Sequence, residues 1–205
     1  HYYTLSGVVP NAGDIKFVPQ RDIEYKQEIT DEDRTILGKD VPDFTYGVNL
    51  SLQYKGFEFS MFGQGISGTK VAFDVYGVHP FYHGQDSPRK YHLKRWTEEN
   101  PNPHAAYPRI YSASSVHTTY NRNFSDYHLF DSDYFRFKTL SLGYTVPSAT
   151  VKNWGLQSLK VYVTGENLFT VRADKKMEDF DPETAGGVIY TLGTKSVAFG
   201  VNISF

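Results

Sequence analysis

No cysteine occurs among the 205 residues, which excludes a disulfide scaffold, a Cys-ligated zinc site and a thiol nucleophile. No apolar run approaches the ~18 residues that a membrane-spanning helix needs. Charge of one sign is also missing: 21 Lys and Arg face 23 Asp and Glu, a net charge of −2. That balance gives no basic stripe for nucleic acid and no acidic tail. The N-terminus, His1-Tyr2-Tyr3, has no Met and no basic-then-apolar leader, so the chain is expected to be processed or to be a piece of something longer. Repeats of fixed period and low-complexity segments are absent as well. What the chain holds in quantity is aromatics, with 16 Tyr and 15 Phe against 2 Met, which favours β-structure. The length suits one large domain or two small ones.

Alternation of period two marks the strands. From Phe44 to Tyr54, Phe44, Tyr46, Val48, Leu50, Leu52 and Tyr54 share one face, and Thr45, Gly47, Asn49, Ser51 and Gln53 share the other. Lys55-Gly56 reads as a two-residue turn, and the chain returns through 57–64, with Phe62 breaking the polar face. A third strand spans 134–146. There Phe135 and Phe137 differ in parity from Leu140, Leu142 and Tyr144, so a β-bulge is expected near Lys138-Thr139. Pro147 ends it, and 148–154 can make one or two helical turns closed by Gly155. Strands at 159–171 and 197–205 complete the pattern, separated by a Gly- and Asp-rich loop. Residues 65–133 are rich in Gly, Pro, His and Tyr, and a connection so long must be functional or partly folded.

Two architectures fit this alternation. In a soluble β-sandwich, such as a secreted carbohydrate-binding module, the apolar faces would meet in a core. In an antiparallel transmembrane β-barrel they would meet lipid. Three features favour the barrel. Four strands are longer than the ~5–6 residues usual in soluble sheets. The connections alternate: Lys55-Gly56 is short, 65–133 very long, 147–157 modest, 172–188 long. Outer-membrane barrels pair short periplasmic turns with longer extracellular loops. Aromatics also bunch at strand ends, with Tyr54, Phe57, Tyr144 and Phe205 at one level and Phe44, Phe135 and Phe169 at the other. Gln53, Glu58, Lys160 and Glu166 would then line a wet lumen. The expected organisation is a loop and strand segment at 1–43, followed by barrel from 44 to 205 with long extracellular loops at 65–133 and 172–188.

Specific stretches resemble a known family. Pro42-Asp43-Phe44-Thr45-Tyr46-Gly47-Val48-Asn49-Leu50, Gly13-Asp14-Ile15-Lys16-Phe17 and Arg95-Trp96-Thr97-Glu98-Glu99-Asn100-Pro101 are similar to the carboxy-terminal barrel of SusC/RagA-type TonB-dependent transporters. So are Asp33-Arg34-Thr35-Ile36-Leu37-Gly38, Tyr134-Phe135-Arg136-Phe137-Lys138, Leu140-Ser141-Leu142-Gly143-Tyr144, Val161-Tyr162-Val163-Thr164-Gly165-Glu166-Asn167-Leu168-Phe169 and Phe180-Asp181-Pro182-Glu183. The resemblance implies a plugged barrel of roughly 22 strands in the outer membrane of a Gram-negative bacterium. Of these the chain would hold the last five or so. It also implies a SusD-like lipoprotein cap, energy from TonB through an upstream segment, and glycan or peptide cargo in Bacteroidota. Phe199, Val201, Ile203 and Phe205 would form the signal read by the barrel-assembly machinery. One departure stands out. The family's acidic Asp-x-Asn-x-Asp-Gly type of loop suits calcium, but Val18 to Thr30 holds only Asp22, Glu24 and Glu28, without Gly. No metal is expected there, and Asp31, Glu32 and Asp33 read as a solvated turn.

Catalytic constellations are weak. His79 and His83 have zinc-like spacing, but Pro80 between them breaks a helix. Asp131, Asp133, Asp179 and Asp181 could be offered as glycosidase pairs. They sit at strand–loop junctions, where Asp commonly terminates structure. No nucleophile elbow, phosphate loop or HExxH occurs, so no enzyme and no cofactor are expected. Aromatics with polar neighbours suit sugar rings or peptide side chains. On that ground Tyr76, Tyr82, Tyr91, Trp96, Tyr107 and Tyr111 are candidate substrate or partner contacts. The competing role, shared with Phe81, Tyr120 and Tyr127, is packing of the loop on itself or against a lipoprotein.

Overall fold

The computed structural model describes residues 2–72, 79–81, 87–88, 90–175, 181–183 and 193–205, apart from the Tyr91 side chain. In chain order the strands are β1 (Thr4–Leu5), β2 (Glu28–Ile29), β3 (Phe44–Tyr54), β4 (Phe57–Ser67), β5 (Lys70–Ala72), β6 (Leu129–Asp131), β7 (Tyr134–Thr145), β8 (Ser158–Arg172) and β9 (Ser196–Ser204). Two short helices are α1 (Val116–Asn121) and α2 (Ser148–Lys152). The long strands form one antiparallel sheet in the order β3-β4-β7-β8-β9.

Local chemistry explains its shape. Lys55 and Gly56 both take positive φ, 47° and 90°, the pairing a type I′ hairpin turn requires. A Cβ at Gly56 would press on the Thr145 carbonyl, whose own N–H donates to the Gly56 carbonyl at 2.8 Å. The expected bulge is present: β7 carries one residue more than β4 between Phe137 and Thr139. Against β7, β8 carries a further extra residue beside Asn167, which has φ 53°. α2 follows Pro147, and the chain leaves it through Gly155 at φ 74°.

Register then sorts the side chains. Val48 opposes Gly63, and Leu50-Met61-Leu140-Gly165-Val197 form one rung across the sheet. Tyr46 lies over Gly65 and stacks on Phe135, centroids 6.0 Å apart. This apolar face stays open. Every large apolar residue of β3 is at least 40% exposed, and so are Leu142, Val161 and Phe199 further in. Among the described residues, the buried apolar ones are Val71, Tyr107, Tyr120, Tyr134 and Val151, and none lies on that face. The remaining sheets, β1-β2 and β5-β6, have strands of two or three residues. Among the described residues, they are too short to form the second layer of a sandwich. Along the strands, the aromatic levels at Phe44 and Tyr54 are ten residues apart. At ~3.3 Å per residue and a tilt of ~40°, that separation spans roughly 25 Å, the height of an outer-membrane apolar band.

Two compact units divide the described residues. One gathers 2–38 with those of 71–130; the other gathers 39–70, 131–175, 181–183 and 193–205 and contains the large sheet. The 65–133 segment is folded where described. It finishes β4 and supplies β5, a 3-10 turn at Lys90–Lys94, α1, a 3-10 turn at Asp126–His128 and β6. Ser115 caps α1 by accepting from the His117 N–H, and Tyr120 on α1 is 1% exposed with its ring edge-on to Phe17.

Candidate functional site

The polar face of the large sheet carries Asn49, Gln53, Glu58, Lys160 and Glu166 together, as the alternation requires. Near the Lys55-Gly56 turn, Lys160 pairs with Glu58 at 2.5 Å, and Thr145 donates to the same carboxylate at 3.4 Å. Ser141 and Thr164 bond at 3.0 Å, and the Tyr162 ring covers Gly200. Gln53, Ser60, Tyr162 and Asn202 line a shallow concavity here. Such a surface can hold water and polar solutes.

At the other end of the same face, Arg136 is 4% exposed. It donates to Thr170 at 3.1 Å and bonds Asp181 at 2.6 Å, with Glu183 at 3.1 Å. Lys138 adds a 2.5 Å contact to Glu183. Burial pushes the Asp181 carboxyl up, but hydrogen bonds from Arg136 and the Glu183 N–H outweigh it and hold the group below the ordinary range. Asp133 is similar. Burial opposes ionisation, and bonds from the Thr69 N–H, Ser67 and Gly68 prevail. Both are poor proton donors, and Asp133 instead closes the corner between β4 and β5. Asp179 lies outside the described residues.

The unit built from 2–38 and 71–130 centres on Asp14, whose side chain is fully buried. It accepts from the Asn11 N–H at 2.7 Å and from Asn121 at 2.8 Å, and pairs with His117 at 2.8 Å. Asn121 in turn accepts from the Ile15 N–H at 2.9 Å. Gly13 turns the chain at φ 92°, directly against the Trp96 ring. Arg109 lies over both Trp96 and Tyr111 and pairs with Glu98 at 2.8 Å. Tyr111 also stacks on His117, and burial, followed by the Asp14 carboxylate, pushes its hydroxyl up to about 12. Tyr107 is buried against His79 and His92, and its hydroxyl bonds His79 at 3.0 Å.

The candidate contact residues therefore divide. Trp96 and Tyr111 are half-buried and Tyr107 is buried, all three in packing contacts within the unit. Tyr91 sits in the Lys90–Lys94 turn with its side chain outside the description, and Tyr76 and Tyr82 lie outside the described residues. Phe199, Val201, Ile203 and Phe205 lie on or just beyond β9, between 49% and 84% exposed. Sequence reasoning assigned no role to Arg136 or Asp14. Their one signal was a charge inside an aromatic strand and a charge beside a glycine.

One expectation is corrected. Asp31–Asp33 is a 3-10 turn, and Asp31 and Glu32 are exposed, but Asp33 is buried rather than solvated. Its carboxylate takes a fork from Arg21 and accepts from the backbone N–H groups of Gln20, Arg21 and Thr30. The Arg21 hydrogen bond and then the Thr30 N–H hold its pKa far below the ordinary value. Its stabilising effect is thus present above the unfolded value near ~3.9 and is lost as pH falls through the lower folded value. The Gln20, Arg21 and Thr30 amides are expected to keep their hydrogen-exchange protection at pH 4, and Asp33→Asn to remove it at pH 7. Equal protection in the variant would show that the carboxylate does not organise the loop.

No family model matches the chain. Two curated relatives come from Formosa agariphila. TonB-dependent receptor P3 is 29% identical over 167 residues, 82% of this chain and 15% of the relative. TonB-dependent receptor P26 is 28% identical over 187 residues, 86% of this chain and 18% of the relative. The chain thus spans less than a fifth of these proteins. Among solved structures, the RagAB peptide importer in its closed-closed state aligns with a TM-score of 0.57 at 24% identity over 80% of this chain and 17% of that one. The RagAB peptide transporter aligns with a TM-score of 0.55 at 25% identity, with the same coverage. The open antiparallel sheet and these likenesses agree: the chain is similar to one stretch of TonB-dependent receptors and takes the fold of the matching part of the RagAB structures.

Proposed function

We propose that the chain is barrel wall and extracellular loops of an outer-membrane importer that takes up peptides or oligosaccharides. The observation that carries this reading is the five-stranded sheet, apolar and exposed on one face, polar on the other. Water would penalise that apolar face by roughly 25 cal/mol per Å² left open, and lipid would not. The sheet's two outer strands need partners, because an unpaired edge is untenable in lipid. We assign those partners to the rest of a larger barrel. The Lys55-Gly56 turn and residues 147–157 face the periplasm, and the connections 65–133 and 172–188 are extracellular. TonB supplies energy through another part of the protein, and a SusD-like lipoprotein meets the extracellular side. Peptide cargo is favoured, because the aligned structures are those of a peptide importer. The protein moves cargo without altering it.

The test is uptake by cells carrying or lacking the full-length protein. Labelled oligopeptides should accumulate intact only when it is present, and accumulation should fall at least tenfold when the proton gradient is collapsed. Accumulation of oligosaccharides instead would overturn the peptide assignment. If neither cargo depended on the protein, the importer reading would be wrong.

A further inference from the structure

We infer that Asp181-Pro182-Glu183 is a strap buckled onto the polar face of the wall by Arg136, at the mouth of the proposed barrel. The strap does not stand away from the strand ends. Its hydrogen-bond partners on β7 include Arg136 and Lys138, two and four residues in from Tyr134, where that strand begins. Gln64, which opposes Arg136 on β4, reaches Glu183 at 3.5 Å.

The chemistry of the buckle makes it persistent. The Arg136 and Asp181 side chains are 5% and 6% exposed. The guanidinium bonds Asp181 through both terminal nitrogens, donates its Nε to Thr170 and lies over the Tyr134 ring. Gly193 abuts Asp181, so a side chain there would displace it. An exposed loop ion pair contributes little and opens freely. This pair is desolvated and forked, so lifting the strap must break two charge-assisted hydrogen bonds together. Lysine keeps the charge but loses the fork, and should hold the strap less well. Arg136 is thus a positioning residue for the mouth.

The position of the strap over a lumen rests on the proposed barrel; the buckle does not. Pro182 is buried, so a cysteine there reports strap contact. In the full-length protein in intact cells, Pro182→Cys should react slowly with an impermeant maleimide. Adding Arg136→Gln should speed labelling at least tenfold, Arg136→Lys by less, and Asp181→Asn about as much as Arg136→Gln. Glu183→Gln, at the more exposed end, should change it least. Heat-modifiable mobility identifies variants that remain folded. Rapid labelling with Arg136 intact would overturn the strap, as would slow labelling in folded Arg136→Gln and Asp181→Asn variants. Acceleration seen only after detergent extraction would support the buckle and overturn the extracellular placement.

Discussion

Val48→Arg should destabilise the full-length protein in a bilayer by about 2–4 kcal/mol, the cost of a cation facing lipid near the midplane. Asn49→Arg, one residue along, should cost little. Both positions lie mid-strand on β3, both are exposed, and Val48 opposes Gly63 where Asn49 opposes Phe62. Were the sheet surrounded by water, both substitutions would fall within about ±0.5 kcal/mol of each other and of the parent. The contrast between neighbours therefore reads the solvent on each face. Denaturation in short-chain lipid vesicles measures it. A fluorophore at 48 should be quenched by lipid-borne quenchers, and one at 49 by aqueous ones. Equal stabilities with aqueous quenching at both sites would end the barrel reading.

Gly13→Val should loosen the unit of 2–38 with 71–130 by about 2–5 kcal/mol. Part comes from holding a side chain at φ 92°, roughly 1–2 kcal/mol. The rest, about 1–3 kcal/mol, comes from overpacking, because the new Cβ would sit 2.9 Å from Arg109 Cβ and nearer still to the Trp96 ring. The Arg109 N–H, which donates to the Gly13 carbonyl at 2.7 Å, should lose exchange protection by roughly thirtyfold or more. Gly7→Val separates the two causes: φ is 72° there, but nothing lies within 4 Å of the added Cβ. It should carry the backbone cost alone. Unchanged Arg109 protection in Gly13→Val would show that the close approach to Trp96 is not holding the unit together.

Polar-face residues show where local reading stops. Alternation put Gln53, Glu58, Lys160 and Glu166 on one side of the sheet, and they are there. It could not pair them. Glu58 and Lys160 are 102 residues apart, Arg136 and Asp181 are 45 apart, and Asp14 and His117 are 103 apart. Asp33 was misread for the same reason. Three adjacent acids look solvated until Arg21 and three backbone N–H groups converge on one of them.

The sequence by itself determined the five long strands, the Lys55-Gly56 turn, the bulge at Lys138 and the sorting of apolar from polar faces. Each follows from steric and pleating preferences that act between neighbours along the chain. Only the tertiary structure decided that 2–38 folds with 71–130, that Trp96 and Tyr111 flank Arg109, and that Asp181 is drawn onto Arg136. It also set Asn167 at positive φ, where β8 carries its extra residue. A buried charge takes whichever counter-charge the fold brings within hydrogen-bonding distance, and distance along the chain does not encode that choice.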